Sequence, residues 1–486
     1  MPRFGYLITI ILAVSIGAFL SCNRQPESNY QSLIDQGQYT LAKEDIRYTL
    51  AAEDTLTPLE RYNLHFEIER LNRIELDFTK TEKDVEDYIR EYIPNVTEGD
   101  IARWEEDKSL EYKIIDGHKR FFNNAARNLF RIDRECKTIW DKSHNYDEAF
   151  DSTSAKLVFN KDDQRTIDYY HRTGAKYSYP ARRRIEYTLT VDSNSVPDGE
   201  MIRCWIPFPR EIQDRQNSIR LIKTEPSQYL IAPNDLTLQR TIYLQKPAKQ
   251  NEPTRFSVEY EYTCYSTYQD VLPENVTPVD PEGSLKPYLQ EEPPHIVFTD
   301  TLKALSKAIV GDETNPYKIA QKLFEWVDTN IPWASAREYS TISNLSNYAI
   351  MNRHGDCGIQ TMLFITLCRY NGIPARWQSG WEFEPRDYDN MHDWGMIYFE
   401  PYGWVPMDVT YGTLQSDNDE LKWFYLHGMD SGRLIFNDAI SQDFYPAKIY
   451  PRSETVDSQR GEVEWAGGNL YFNKWDYELK YELLDK

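Results

Sequence analysis

Among its six cysteines and eight histidines the chain has no CxxC pair and no tight His/Cys cluster. That argues against a structural zinc site, which needs four such ligands at short spacing. Positive charge is scarce: Lys plus Arg total 55 against 77 Asp plus Glu, a net charge of −22. Nucleic acid, whose binding rests on clustered cations, is excluded as an expected partner. The acidity otherwise bears mainly on solubility. No apolar run reaches the roughly 20 residues a membrane-spanning helix needs. There is no internal repeat and no low-complexity tract. A dense Asp/Asn loop of the calcium-binding kind is missing too; Asp387, Asp389 and Asn390 form too short a cluster. No metal or organic cofactor is expected.

The N-terminus has the layout of a cleaved signal. Arg3 precedes an apolar run over residues 6–20, followed by Ser21 and Cys22. A cysteine directly after a small residue resembles a bacterial lipoprotein processing site. The resemblance implies cleavage before Cys22 and lipidation of its thiol. The mature chain would then be held in the bacterial cell envelope by acyl chains, facing the periplasm or the cell surface. Cys204 and Cys264 fall on inward-facing strand positions, where a disulfide and two buried thiols are both open.

At 486 residues the chain has room for about three domains. Residues 22–150 read as helical, with apolar residues at three- and four-residue spacing over 31–50 and 59–78 and a Thr57-Pro58 helix start. A strand over 110–115 runs into an Asp116-Gly117 hairpin turn. Helices and hairpin together resemble a winged helix in outline, here for packing or docking. Residues 141–180 are polar and weakly patterned, as in a linker. From Arg184 the period changes to two. Ile185, Tyr187, Leu189 and Val191 alternate, as do Ile202, Cys204 and Ile206, then Phe256, Val258, Tyr260, Tyr262 and Cys264. This predicts a β-sandwich over 180–270. Six prolines in 273–294 mark a boundary. An α+β domain over 295–430 follows, with a nearly all-apolar helix from Cys357 to Tyr370 stopped by Asn371-Gly372. Residues 431–486 read as a β-rich extension.

Within the α+β domain, HGDCGIQ (354–360), MHDW (391–394) and WVPMD (404–408) place Cys357, His392 and Asp408 in order along the chain. A thiolate can attack an amide or ester carbonyl, an imidazole can shuttle the proton, and a carboxylate can orient the imidazole. Cys357 at a helix start meets free amides and the positive end of the macrodipole, which is expected to lower its pKa and to stabilise an oxyanion. Gly355 and Gly358 are expected to leave room for a substrate carbonyl. Asp356 opposes the thiolate unless it points to solvent. His392 and Asp408 lie almost symmetrically about the turn signal at 400–403, so an antiparallel hairpin brings them together. His354 and His427 are weaker rivals for the base. Cys368 shares the helix face of Cys357 but lies about three turns away, too far to pair with it.

These residues, in this order, resemble the transglutaminase-like superfamily of papain-like thiol enzymes. The stretches IAQKLFEWVDTNIPW (319–333), HGDCGIQTMLFITLCRYNGIPARWQSGW (354–381) and HDWGMIYFEPYGWVPMDVTYG (392–412) carry the resemblance. It implies Cys357 as nucleophile, His392 as base and Asp408 as orienting acid. Two positions depart from the family pattern: Asp356 before the Cys, and Asp393 in place of a small residue between His392 and Trp394. Trp333 and Gln360 are candidate oxyanion donors, and Trp333, Trp377, Trp381 and Trp394 candidate cleft walls. The superfamily includes transferases, proteases, amidases and inactive members. The expected function is an envelope thiol enzyme that cleaves or transfers an amide of a peptide, protein or peptidoglycan-derived substrate, with hydrolysis favoured. The alternative is an inactive binding lipoprotein that presents an aromatic groove to a peptide or glycan.

Overall fold

The computed structural model describes residues 29–143, 152–383 and 390–484. The signal segment, Cys22 and the Asp387–Asp389 cluster lie outside them. The N-terminal part is helical and has its own core, built on Leu71, Ile74, Phe78, Ile89, Trp104, Phe121, Leu129 and Phe130. Three of its helices start with reciprocal capping boxes: Thr57 with Glu60, Thr81 with Asp84, and Thr97 with Asp100. Each satisfies two backbone N–H groups that the helix cannot. Strands Tyr112–Ile115 and His118–Phe121 pair across Asp116 and Gly117, both with positive φ (48° and 80°). That backbone matches the twist of a two-residue hairpin, and Asp-Gly tolerates it. The following helical stretch is broken at Asp133, whose Oδ1 accepts from the amides of Glu135 and Cys136.

Residues 152–173 are helical rather than an irregular linker. The sandwich consists of two five-stranded sheets. In one, Tyr177–Val191 lies between Thr254–Tyr268 and Trp475–Leu483; in the other, Met201–Pro207 lies between Thr241–Pro247 and Glu462–Trp465. The C-terminal residues are therefore not an appendage, because the first sheet takes an edge strand from them and the second an inner and an edge strand. Cys204 and Cys264 are buried free thiols in the sandwich core.

In the third part, helix Cys357–Tyr370 is buried along nearly its whole length. It packs against helices Pro316–Asn330 and Leu345–Asn352 and a four-stranded antiparallel sheet. The sheet runs in the order Gly403–Met407, Asn390–Phe399, Ala375–Glu382, Arg433–Asn437. It serves two cores at once. Ile435, Trp394 and Ile397 face the buried helix, while Leu434, Phe436 and Trp381 face the sandwich. The N-terminal part closes on the segment before the buried helix. Asn128 and the backbone of Ser335 exchange two hydrogen bonds (2.8 and 3.0 Å), and Glu111 pairs with Arg337 (3.1 Å).

Candidate active site

Cys357 begins its helix, with Asp356 as the cap: Asp356 Oδ1 accepts from the amide of Ile359 at 3.1 Å. The amide of Gln360 bonds the Asp356 carbonyl. The amides of Cys357 and Gly358, in the first turn, have no partner within the helix. His392 lies on strand Asn390–Phe399 opposite Gly380. Asp408 follows the end of strand Gly403–Met407, whose register pairs Gly395 with Met407. Continued by one residue, that register sets Asp408 opposite Trp394, so His392 lies two residues along the strand, a diagonal that side chains still bridge. His392 Nε2 and Asp408 Oδ2 are 2.7 Å apart, and both residues are buried.

Asp408 is held from every side. Its Oδ1 accepts from the amides of Thr410 and Tyr411, and its Oδ2 from Arg433 Nη1 at 3.0 Å. Burial alone would raise its pKa; the charges of His392 and Arg433 overcome that and hold the carboxyl below its usual range. Arg433 also pairs with Asp430 at 2.9 Å and lies 3.7 Å from Glu382. Glu382 in turn accepts from Tyr411 Oη at 2.8 Å and Asn390 Nδ2 at 3.0 Å. The imidazole therefore rests on a buried network of four charged side chains. No sequence motif announced Arg433. It lies in the segment read as an extension, and only the pairing of its strand with Ala375–Glu382 brings it here.

The thiol is placed differently from the expectation. Cys357 Sγ lies 3.3 Å from Asp393 Oδ2, and no hydrogen bond joins it to His392. Burial comes first in pushing the thiol's pKa up, followed by the charges of Asp393 and Asp356. The helix start therefore does not prevail here. Its field is worth about 1 kcal/mol or less, against full burial beside two carboxyls. Asp356 does not point to solvent either; burial raises its carboxyl to about 6. The two glycines leave no spare room. A Cβ at Gly358 would stand 2.1 Å from Tyr339 Oη, and one at Gly355 would stand 2.3 Å from Ile359 Cγ2.

The remaining candidates separate clearly. Gln360 is buried and engaged at both ends, donating to the Ile331 carbonyl (2.7 Å) and accepting from Thr410 Oγ1 (2.8 Å). It ties the loop after Asp408 to the end of helix Pro316–Asn330. Trp381 and Trp394 are buried, the first bonding the Gln459 carbonyl and the second Gln378. Neither walls a cleft, because their sheet is covered on both faces. Trp377 is core as well. Trp333 is 43% exposed, pairs backbone-to-backbone with Gly355 beside the thiol, and has Arg131 4.8 Å above its ring. The rival histidines stand neutral: burial lowers both His354 and His427 to about 4. Among the described residues one group has metal-ligand spacing, His171, Asp270 and Glu420, with ligand atoms within 4.8 Å. His171 and Glu420 already satisfy each other at 2.7 Å.

Residues 303–409, a stretch holding Cys357, His392 and Asp408, match the family model of the transglutaminase-like superfamily. No curated protein matches the chain. Solved structures that align with it include a candidate cysteine protease from Cytophaga hutchinsonii, at 17% identity over 64% of this chain and 93% of that one, with TM-score 0.45. Another is the periplasmic domain of TgpA from Pseudomonas aeruginosa, at 14% identity over 49% and 93%, with TM-score 0.26. The matched stretch holds the buried helix, three of the four sheet strands and the imidazole–carboxylate pair described above, and residues 303–409 form a transglutaminase-like domain.

Proposed function

We propose that this chain is a thiol enzyme that cleaves or transfers an amide through an acyl-Cys357 intermediate. The observation that carries the reading is the buried His392–Asp408 pair inside the family-matched stretch that also holds Cys357 at a helix start. The proton of Cys357 passes to His392, which Asp408, itself held by Arg433, keeps in one orientation. The sulfur attacks the carbonyl carbon and the C=O electron pair moves onto oxygen. The amides of Cys357 and Gly358 are the donors available to that oxyanion. On collapse the C–N bond breaks, the amine leaves with the proton held by His392, and a thioester remains. Water, or an acceptor amine, then attacks the thioester and restores the thiol. Water is the favoured acceptor because it is the nucleophile always at hand.

The substrate class follows from setting rather than from the cleft. With Cys22 lipidated the enzyme faces the envelope, where peptides, protein side chains and peptidoglycan-derived fragments are the available amides. No described helix is long and apolar enough to cross a membrane, which fits attachment through acyl chains. The test is a panel of acyl-amide and peptide substrates with wild type and Cys357→Ala, alongside mild alkylation at neutral pH. Turnover lost in the variant, with Cys357 alkylated far faster than Cys136, supports the enzyme.

The bond from the thiol to Asp393 favours a second reading, an inactive binding protein on the same fold. It predicts that Cys357 is alkylated as slowly as Cys136 and that His392→Ala changes nothing.

A further inference from the structure

Behind Cys357 three carboxyls gather, Asp393 and Asp457 buried and Asp356 half-buried. No cation lies within salt-bridge distance of any of them among the described residues. The nearby guanidiniums are committed elsewhere, Arg452 to Glu462 and Arg460 to Glu338 and Glu454. Two buried charges and a half-buried one without a counter-ion would be prohibitively costly, so such a group keeps protons instead.

The hydrogen bonds show where the protons are needed. Tyr339 Oη lies 2.9 Å from Asp356 Oδ2 and 3.0 Å from Asp393 Oδ2. One phenol hydrogen cannot serve both, so the second contact needs a proton on a carboxyl. Asp457 lies close enough that its charge opposes the ionisation of Asp393. Asp457 Oδ1 is buried and no conventional donor reaches it. Its Oδ2 accepts from Ser379 Oγ at 2.5 Å, and Asp393 Oδ1 accepts from Gln459 Nε2 at 2.8 Å. Asp356, by contrast, has the helix amide of Ile359 to stabilise its charge.

We propose that Asp393 and Asp457 hold one proton between them, so that Asp393 meets the Cys357 sulfur as a neutral acid and silences the thiol when the pair ionises as pH rises. The proposal rests on Cys357 being the nucleophile. Once His392 has taken the thiol proton, Asp393 donates its O–H to the thiolate across the same 3.3 Å contact. Asp393 touches the reacting sulfur and is a catalytic residue in that sense; Asp457 acts through it and is a positioning residue. When the pair loses its proton, a bare carboxylate stands against the sulfur and disfavours the thiolate. The groups facing the pair are Asp356 and Cys357 from the buried helix, Tyr339 from the preceding loop, and Ser379 from the neighbouring strand. Gln459, with the engaged Arg452 and Arg460, faces it from the C-terminal segment, and His392 is next to Asp393 on its own strand.

The experiment is the pH dependence of Cys357 alkylation by iodoacetamide in the full chain, for wild type, Asp393→Asn, Asp457→Asn and His392→Ala. Asparagine at 393 is isosteric, keeps a donor on the sulfur and cannot ionise. The rate ratio of Asp393→Asn to wild type is expected near one in acid and to climb to tenfold or more above neutral pH. Asp457→Asn should move the wild-type fall-off along the pH axis, a shift that a purely structural role would not give. A ratio that stays flat with pH, in a variant whose thermal midpoint matches wild type, overturns the proposal. If wild-type Cys357 is no faster than Cys136 and His392→Ala is without effect, the enzyme reading itself fails, a separate outcome from the flat ratio.

Discussion

Arg433→Met isolates the network beneath the imidazole. The guanidinium is 1% exposed and bonds Asp408 at 3.0 Å and Asp430 at 2.9 and 3.1 Å, with Glu382 at 3.7 Å. It is sandwiched between Trp394 and Tyr411, 5.0 and 5.2 Å from their ring centres. Burial would lower its pKa, but Asp430, Asp408 and Glu382 together hold it above its ordinary value. Methionine can fill the slot between the rings, so the loss is chiefly electrostatic. Removing one partner of a buried ion network costs about 3–5 kcal/mol, because the remaining charges stay buried. The sign with pH follows from Asp408. Its depressed pKa in the native state gives stability that is present above the unfolded value and lost only as pH falls through the native one. Without Arg433 the burial effect gains on the attraction of His392 and the carboxyl moves upward. Stability is then lost as pH rises, and the gap between variant and wild type widens. The acid limb of activity moves to higher pH as well, since a protonated Asp408 no longer steadies the imidazolium. Denaturant unfolding at several pH values measures the first effect and a turnover profile the second. Arg433→Lys keeps the charge without the planar fork and should fall between. Unfolding of Arg433→Met within about 0.5 kcal/mol of wild type at neutral pH would refute the reasoning, since that is the scatter of an uninvolved surface change.

Two further perturbations probe the surroundings of the site. Asp77 lies at the contact between the N-terminal helices and the loop before Cys357, accepting from the amide of Glu338 at 3.1 Å. Burial first, then the charge of Glu338, raises its carboxyl to about 7. A raised acid contributes stability that is full below its unfolded pKa and disappears as pH climbs through the native one, up to about 4 kcal/mol for a shift of this size. Asp77→Asn should therefore flatten the decline in stability between about pH 4 and 7, and parallel wild-type and variant curves would count against it. Gly358→Ala drives a methyl to 2.1 Å from Tyr339 Oη and 2.7 Å from Asp393 Oδ2. It is expected to cost about 1–3 kcal/mol as overpacking and to lower turnover at least tenfold. An unchanged thermal midpoint together with full activity would show that the carboxyl cluster tolerates displacement.

Much of the scaffold was legible because its signals are local. Thr57-Pro58 caps a helix wherever it is placed, and Asp116-Gly117 can take up the positive φ of a tight hairpin. Ile185, Tyr187, Leu189 and Val191 declare an inward face by alternation alone. Residues 152–173 failed as a linker because a polar composition does not forbid a helix that tertiary contacts can support. The C-terminal strands were recognised as strands, but periodicity carries no information about which sheet a strand joins.

The sequence by itself settled the three chemical types, their order, and the strand geometry that joins His392 to Asp408, since each follows from short-range spacing and hairpin register. Only the tertiary structure decided the electrical setting of the sulfur. Asp393 reaches it from a neighbouring strand, Tyr339 from a loop pressed by the N-terminal helices, and Asp457 and Arg433 from strands and loops far along the chain. Electrostatic energy depends on separation in space and on exclusion of water, and neither is written in the order of the residues.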